Sequence, residues 1–343
     1  MSLTNTKNVE TAIAPPAIKG FLPQLILSKA LNIVSELGIA DLLADKKLTV
    51  TELAQASDTD AKSLFRLLRL LASHEIFEVH PDEKISNTAN SQFLRSDVPG
   101  SQRNFIRMMG SNWMWHILNQ MDNSIKTGKS AFNKAFPDAL NLFQYFKEVN
   151  PAGGKIFSQS MSSMSASLDA TVATSYDYSV FRSLLDIGGA EGNLLKEIKS
   201  INPEINATLF ELPHVIEQVK QAPSAKVLSF EAGNFFEEIK TQADAILIKY
   251  VLHNWNDQDS LQILQNCRKA LPAGGKLLIA EMLIDNNKPQ VFEKSMDMVM
   301  LTLLNSAERT EAEFRSLLAS AGFELTRVIP TKSPLFIIEA IPV

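Results

Sequence analysis

Cysteine is almost absent from the sequence, which has one thiol, Cys267, in 343 residues. A single thiol excludes an intrachain disulfide framework and a cysteine-based zinc site, and it fits a reducing compartment. Apolar runs that approach the ~18 residues needed to cross a membrane are also lacking. Residues 1–16 do not have the basic and then apolar layout of a secretory signal peptide. We therefore expect a cytoplasmic protein that begins with a disordered tail over residues 1–16.

A surplus of positive charge is missing too, because 33 lysines and arginines stand against 38 acidic residues and give a net charge of −5. This balance provides no general attraction to nucleic acid or to an anionic membrane. The five histidines are scattered without metal-ligand spacing, so no metal is expected. In contrast, hydrophobic residues make up 45% of the chain, which favours a globular protein with substantial cores. The length suggests two domains.

The first hundred residues have a helical pattern. Apolar residues recur every three or four positions from Leu22 to Leu37, and a leucine-rich helix is predicted over residues 63–72. The runs 76–79 and 84–86 are separated by a four-residue turn and are typical of a hairpin. Helices followed by a hairpin predict a winged-helix domain over residues 17–102.

A winged helix raises the possibility of DNA binding, and the predicted second helix carries Lys62, Arg66 and Arg69. These cations are interleaved with leucines, so we interpret them as the solvated edge of a mostly buried helix. A domain with this much leucine is predicted to pack against a second copy of itself. We expect a homodimer through the N-terminal domain and no nucleic-acid partner.

Residues 103–180 are predicted to form a helical connector with many large, soft side chains. Most of them must be core, because aromatic and methionine stripes at helical spacing usually are. Those that line a cleft would favour an apolar or aromatic substrate. Candidates named for the substrate pocket in this segment are Trp113, Phe157 and Met161.

The second half alternates strand-like and helical runs, which predicts an α/β fold with a doubly wound sheet over residues 181–343. Between the last two strands, Pro330 to Pro334 leave room only for a turn, so these strands should form a terminal antiparallel hairpin. The predicted strands cover residues 184–188, 207–210, 226–229, 244–249, 276–282, 323–329 and 335–341.

A glycine loop, residues 188–192, follows the first of these strands and precedes a helical pattern. Such a turn lets the backbone approach a nucleotide-like ligand. Gly188, Gly189 and Gly192 leave Ala190 at the second glycine of the dinucleotide fingerprint. NAD is therefore disfavoured.

Two acids indicate which cofactor fits the loop. Glu211 lies 19 residues after Gly192 at the end of the next apolar run, where a carboxylate can bind both hydroxyls of a ribose. Asp186, just before the turn, would repel a pyrophosphate but suits a cationic amino-acid end. S-adenosylmethionine has both a ribose and a cationic amino-acid end.

The chain resembles the plant caffeate-type and bacterial small-molecule O-methyltransferases, and the match covers nearly the whole sequence. The resemblance implies a Rossmann-like domain that binds S-adenosylmethionine and a winged-helix dimerisation domain. It also implies methylation of an aromatic or polyketide-like hydroxyl in secondary metabolism. The motifs that carry the match are residues 249–257 (KYVLHNWND), 266–276, Glu281, 308–311 (ERTE), 321–323 and 333–339.

By this resemblance, His253 is the general base and Glu281 and Glu308 are the acids that flank it. A histidine titrates near neutral pH, so it can take the proton of a phenol or an enol. Glu281 interrupts an apolar strand, and a carboxylate that holds one imidazole nitrogen would fix the tautomer. Before Glu308, Ser306 and Ala307 replace the paired glycines of the family, which puts the path of this loop in question.

The resemblance also assigns binding residues. Asn234 replaces an aspartate that meets the adenine edge, and Ala190 replaces a loop glycine, so we expect weaker or altered cofactor binding. The candidate cofactor contacts are Ser165, Asp186, Gly188, Gly189, Glu211, Asn234, Phe235 and Lys249. The candidate substrate contacts are Trp113, Phe157, Met161, Asn254 and Met300.

Two other functions stay open from the sequence. The altered residues near Glu308 and Asn234 allow a catalyst that binds the cofactor without transferring its methyl group, such as a pericyclase, cyclase or hydroxylase. A winged-helix regulator that senses the cofactor is the third hypothesis, which the net charge disfavours. The methyl acceptor, and whether it is methylated at oxygen or nitrogen, cannot be deduced from the sequence.

Overall fold

The computed structural model describes residues 16–343. The chain divides into two compact units, of which the first ends at Asn112 and the second is Trp113–Val343. This boundary lies inside the predicted connector, 103–180. The predicted tail lies outside the described residues apart from Pro16, which begins the first helix. Among the described residues, no helix combines enough length and hydrophobicity to cross a membrane.

The first unit is mainly helical and has a small antiparallel sheet in the order β1-β3-β2. The order of helices and hairpin confirms the winged-helix prediction. Its helices are α1 (Pro16–Lys19), α2 (Phe21–Leu37), α3 (Ile39–Leu43), α4 (Val50–Ser57), α5 (Ala61–Ala72) and α6 (Arg103–Met109), and its strands are β1 (Leu48–Thr49), β2 (Phe77–Val79) and β3 (Lys84–Asn87).

Helix α5 buries Leu64, Leu68 and Leu71. It exposes Lys62, Arg66 and Arg69, as a solvated helix edge does. Helices α1 and α2 differ, because they present a continuous row of exposed large apolar side chains. This exposed apolar face consists of Ile18, Phe21, Leu22, Leu25, Ile26 and Ile33.

The second unit contains the large sheet and the remaining helices. Its helices are α7 (Asn112–Leu118, which starts at the unit boundary), α8 (Met121–Thr127), α9 (Phe132–Ala135), α10 (Leu142–Glu148), α11 (Pro151–Thr174), α12 (Asn193–Ile201), α13 (Pro213–Val219), α14 (Asp257–Ala270), α15 (Val291–Leu304) and α16 (Glu311–Ser320). Its strands are β4 (Ser183–Ile187), β5 (Asn206–Glu211), β6 (Ser229–Ala232), β7 (Ala245–Lys249), β8 (Lys276–Ile284), β9 (Arg309–Thr310), β10 (Phe323–Pro330) and β11 (Leu335–Pro342).

The strand order is β10-β11-β8-β7-β4-β5-β6, and the short strand β9 pairs with β8. Strands β4 to β8 are parallel to one another, whereas β11 is antiparallel to both β8 and β10. The terminal hairpin is therefore confirmed. The predicted strand 226–229 is misplaced, because Pro223–Val227 forms a 3-10 turn and the strand starts at Ser229.

Alternate residues of the central strands belong to different hydrophobic clusters. Leu185 and Ile187 pack in one cluster and Leu184 in the other, so the sheet is buried on both faces. The chain crosses from β4 to β5 on one side and β7 pairs with β4 on the other. Open α/β sheets bind their ligands at such a reversal, outside the carboxyl ends of the strands.

Candidate active site

The glycine loop follows β4 and turns through left-handed backbone. The φ angles are 71° at Gly188, 50° at Ala190 and 69° at Gly192. A Cβ on Gly188 would lie 2.8 Å from a methyl carbon of Val251, so a side chain there is excluded. Ala190 adopts a conformation that costs an L residue roughly 1–2 kcal/mol, a cost that a glycine would not have.

Glu211 reaches this loop from the end of β5. Its carboxylate accepts the N–H of Ala190 at 3.2 Å and the N–H of Leu212 at 2.8 Å. Burial raises the pKa of Glu211, and the two backbone hydrogen bonds oppose that shift. Glu211 thus lies beside the glycine loop, where its spacing from Gly192 predicts it.

Asp186 lies beneath the loop and is only 1% exposed. Its Oδ1 atom has no hydrogen-bond partner among the described residues, and a Cβ on Gly189 would lie 2.2 Å from its Oδ2 atom. Burial raises the pKa of Asp186 to about 7. A buried carboxylate without a partner is costly unless a donor joins it, and the ammonium group of S-adenosylmethionine is a donor that fits.

Lys249 is the last residue of β7, and its side chain contacts two residues of helix α11. Its ammonium group donates to the Ser165 hydroxyl at 2.6 Å and forms an ion pair with Asp169. Asp169 is buried, and this burial raises its pKa against the effect of Lys249. Phe157, Met161, Ser165 and Asp169 repeat every four residues and so follow one side of α11.

The predicted cofactor contacts Asn234 and Phe235 follow β6. The Asn234 side-chain oxygen accepts the N–H of Phe236 at 3.1 Å, so it caps its own turn. The Phe235 ring packs edge-on against Trp255, with centroids 5.9 Å apart. A Cβ on Gly188 would lie 3.8 Å from the Phe235 ring, which places this ring beside the glycine loop.

His253 lies on the 3-10 turn Leu252–Asn254, the histidine turn, directly beyond β7. Its Nδ1 atom is 2.8 Å from Glu308 Oε1 and 4.0 Å from Glu281 Oε2. The other Glu281 oxygen accepts the backbone N–H groups of Val251 at 3.1 Å and His253 at 3.4 Å. The imidazole hydrogen bond that we expected from Glu281 therefore belongs to Glu308, and Glu281 orients the backbone.

Burial lowers the pKa of His253, but Glu281, the hydrogen bond with Glu308 and the Glu308 charge outweigh it, so the pKa lies above its ordinary value. Burial raises the pKa of Glu281 to about 7. With Nδ1–H donated to Glu308, Nε2 is the nitrogen left to accept a proton. This arrangement is that of a histidine base oriented by a carboxylate.

The candidate substrate contacts fall into two places. Trp113 packs edge-on against Phe146 at 5.0 Å, and Phe157 packs against the same ring at 5.3 Å. Asn254 donates to the backbone oxygen of Tyr250 at 2.9 Å, beside His253. Of the remaining two, Met161 is 37% exposed on α11 and Met300 is buried on α15, a helix that packs against the histidine turn.

Two family models match the chain, an O-methyltransferase domain over residues 115–324 and an O-methyltransferase dimerisation domain over residues 21–97. The chain belongs to the O-methyltransferase family. It is an S-adenosylmethionine-dependent O-methyltransferase with a mixed α/β fold.

Similar proteins agree with this family. The chain is 34% identical to the phenazine O-methyltransferase PhzM of Lysobacter antibioticus over 98% of its own length and 100% of that protein. It is 31% identical to a mitomycin biosynthesis 6-O-methyltransferase of Streptomyces lavendulae, over 98% and 97%. Its fold matches human N-acetylserotonin methyltransferase bound to S-adenosylmethionine with a TM-score of 0.87 at 25% identity, over 98% and 99%. These relatives do not favour a non-methylating catalyst.

The same site of the methyltransferase also brings metal-donor groups together, which sequence spacing did not reveal. Donor atoms of His253, Glu281 and Glu308 all lie within 4.8 Å of one another. Hydrogen bonds already engage the imidazole with Glu308 and one Glu281 oxygen with the backbone. The expected absence of a metal stays a prediction.

The sequence reasoning missed three residues at this methyltransferase site. Asp169 could have been found, because it follows Ser165 by one helical turn. Tyr250 could not have been found from the sequence. Its backbone is left-handed (φ 53°) and its ring centroid lies 4.9 Å from that of His253, and neither feature can be predicted from the residue pattern. Arg309 follows Glu308 in the motif, but its burial against the histidine turn depends on tertiary structure.

Proposed function

We propose that the chain transfers the methyl group of S-adenosylmethionine to a hydroxyl oxygen of an aromatic or polyketide-like small molecule, with His253 as general base. The observation that carries the proposal is the 2.8 Å hydrogen bond between His253 and Glu308 at the carboxyl end of β7. This bond leaves Nε2 free to take the acceptor proton, and the positive charge that forms on the imidazole is stabilised by Glu308.

The cofactor would lie along the carboxyl ends of β4, β5 and β7. Asp186, Lys249 and Ser165 would hold its amino-acid end, since the unpartnered Asp186 oxygen needs a cationic donor. Glu211 would bind the ribose. The glycines Gly188 and Gly189 would allow close approach of the backbone, and Asn234 and Phe235 would contact the adenine.

When bound, this cofactor supplies an electrophilic methyl group. The protein's own contribution is to hold the acceptor oxygen next to His253 and remove its proton. Positioning usually provides the larger share of such a rate enhancement, and general base catalysis adds about 10²–10⁴-fold. Glu281 contributes by fixing the backbone on which His253 stands.

An apolar acceptor is supported by the side chains proposed to contact it. Trp113 and Phe157 share packing with one phenylalanine ring, and Met161 and Met300 add flexible thioethers that fit a planar ring. Asn254 is the polar member of the set. Two of the relatives are a phenazine O-methyltransferase and a 6-O-methyltransferase of mitomycin biosynthesis, and phenazines are aromatic molecules.

The test is turnover with ¹³C-methyl-labelled S-adenosylmethionine against matched aromatic acceptors that carry a phenol, an aniline or an aliphatic alcohol. We expect S-adenosylhomocysteine to form with phenols or enols, and the label to give the NMR shift of a methyl ether. A labelled N-methyl product without any ether would overturn the proposed oxygen acceptor. An isomerised or oxidised compound with no S-adenosylhomocysteine would overturn methyl transfer itself.

We also propose that the chain is a homodimer whose first unit provides the contact. The exposed apolar face of α1 and α2 supports this, because monomers rarely expose so continuous a row of large apolar side chains. Sedimentation at micromolar concentration should give a dimer, and Leu25→Glu with Ile26→Lys should give a monomer. A monomeric native chain would overturn this part.

Finally, we propose that the enzyme works in the cytoplasm. The support is that Cys267 is a free, buried thiol, which fits a reducing compartment. A fluorescent fusion found outside the cytoplasm would contradict this location.

A further inference from the structure

Arg309 is a buried arginine whose side-chain hydrogen bonds all go to one segment. Its side chain is 3% exposed. The Nη1 atom donates to Leu252 O at 3.0 Å, and the Nη2 atom donates to Trp255 O at 2.8 Å and to Ser260 Oγ at 3.2 Å. The Nε atom donates to Asp257 at 2.9 Å. The guanidinium thus binds the chain from residue 252 to residue 260.

The two carbonyl groups that Arg309 binds lie on either side of His253. Leu252 is the residue before it, and Trp255 follows the end of the histidine turn. Ser260 reinforces the same pair, because its hydroxyl lies 3.3 Å from Leu252 O and 3.2 Å from Trp255 O. A planar guanidinium with a fixed fork of donors fixes the spacing of two acceptors better than a single ammonium group can.

The same short segment also holds the imidazole. Glu308 binds His253 Nδ1 through its side chain, and the next residue, Arg309, binds the backbone around His253. Strand β9 fixes both residues, because Arg309 pairs with Leu283 of β8, and β8 also carries Glu281. The segment of Glu308 and Arg309 therefore fixes both the backbone and the side chain of His253.

We infer that Arg309 is a positioning residue for the reaction, and that it holds the histidine turn so that the His253 imidazole stays bonded to Glu308 with Nε2 directed to the acceptor. The inference rests on the proposed role of His253 as general base. It extends that role to a residue whose side chain is 3% exposed and donates to protein groups.

The charge of Arg309 supports the same conclusion. The groups that face His253 are Glu281 on β8, Glu308 before β9, the Tyr250 ring and Arg309 itself. Burial and the two carboxylates have the larger effects on the pKa of His253, and Arg309 lowers it. Within residues 16–343, the ion-pair partner of Arg309 is Asp257, whose side chain is 84% exposed. Water therefore screens that carboxylate and leaves the buried side of the cation to act on the histidine.

The experiment compares Arg309→Lys with Arg309→Met. Arg309→Met removes the fork and the charge, so kcat should fall by roughly 10–100-fold, since small misplacements of a catalytic group have effects of this size. KM for the acceptor and the Kd of S-adenosylmethionine should stay within about threefold of the native values, because the Arg309 side chain is buried and its donors bind protein groups. The acid limb of the kcat profile should move to higher pH.

Arg309→Lys keeps the charge and loses the fork. It should lower kcat as Arg309→Met does, but the acid limb should stay closer to its native pH. Ser260→Ala removes one partner of the guanidinium with little change in side-chain volume, so its loss of kcat should be smaller. It also tests the inference if neither arginine variant folds. Circular dichroism and thermal melting establish that each variant is folded.

A matched control is Arg268, a half-buried arginine of α14 that also donates to two carbonyls, Gly322 O at 3.1 Å and Val343 O at 3.2 Å. Arg268→Met should lose stability without a change in kcat or in its pH profile. Native kcat and pH profile in folded Arg309→Met, or equal losses in Arg268→Met, would overturn the inference. Native turnover in His253→Ala would contradict the proposed role of His253 as general base. A loss of turnover in His253→Ala but not in Arg309→Met would contradict only the positioning role of Arg309.

Discussion

The glycine loop and the histidine turn both follow buried parallel strands, but different groups hold them. In the loop, left-handed backbone at Gly188, Ala190 and Gly192 sets the path, and Glu211 accepts backbone N–H groups. At the turn, side chains from distant strands converge on His253. The cofactor half is thus shaped mainly by local backbone, and the proton-transfer half by long-range side-chain contacts.

The two halves also differ in what they leave unsatisfied. Among the described residues, Asp186 Oδ1 below the loop is a buried oxygen without a hydrogen-bond partner, which a cationic donor of the cofactor would satisfy. Glu281 Oε2 and Glu308 Oε2 beside His253 also have no hydrogen-bond partner there, but each of these carboxylates binds protein through its other oxygen. The imidazole Nδ1 of His253 is already bonded to protein. Substitutions in the first half should therefore change the Kd of S-adenosylmethionine, and substitutions in the second should change kcat.

Apart from replacement of His253 itself, Glu308→Gln should have the largest effect of the variants in this comparison. It weakens the hydrogen bond that orients the imidazole, so we expect kcat to fall about 10–100-fold, a large part of a general base's contribution. Because the Glu308 carboxylate raises the pKa of His253, its loss lowers that pKa and moves the acid limb of kcat to lower pH. Rate profiles between pH 5 and 9 measure both effects.

The matched variant is Glu281→Gln, which keeps an oxygen for the N–H groups of Val251 and His253. It should cost less kcat than Glu308→Gln. The reverse order would mean that Glu281, and not Glu308, orients the base.

Asp186→Asn should show the opposite split. It removes the charge that the cofactor's ammonium group would meet, so Kd for S-adenosylmethionine should rise about tenfold, as expected for a charged hydrogen bond. At saturating cofactor, kcat should change little. Calorimetry measures the Kd, and Asp244→Asn is the control, because Asp244 accepts N–H groups from Arg182 and Ser183 at the amino ends of the strands. Equal losses in both variants would remove the argument for Asp186.

Asn234→Asp should have a smaller effect and in the favourable direction. The aspartate keeps an oxygen for the N–H of Phe236 and offers a stronger acceptor to the adenine amino group. We expect Kd for S-adenosylmethionine to fall about two- to tenfold, the worth of one improved hydrogen bond. A weaker complex would show that the loop is tuned to asparagine.

Ala190→Gly should change stability only slightly. Relief of the left-handed conformation is worth roughly 1–2 kcal/mol, and the greater entropy of glycine in the unfolded chain offsets about 0.5–1 kcal/mol. The free energy of unfolding should therefore rise by about 0.5–1 kcal/mol in denaturant titrations. Gly192→Ala is the converse, since its Cβ would lie 3.0 Å from Leu228 and should destabilise the fold. Stabilisation by Gly192→Ala would contradict the assigned backbone strain.

The same contrast explains what the sequence could predict. The loop, its glycines and Glu211 lie within one strand-helix-strand unit, so spacing alone placed them together. The partner of His253 could not be chosen this way, because Glu308 is 55 residues away and only the pairing of β9 with β8 brings it close. Strand β6 was misplaced because a proline-initiated turn competes with its apolar run.

The most direct test of the central claim is His253→Ala, measured for S-adenosylmethionine binding by calorimetry and for S-adenosylhomocysteine formation with an accepted phenol. His74→Ala is the control, because His74 is exposed in the first unit. We predict an unchanged Kd and a kcat at least about 100-fold lower in His253→Ala, which is the lower range for a general base. A loss of kcat of less than about threefold is much smaller than a general base contributes, and it would contradict the role of His253 as the base.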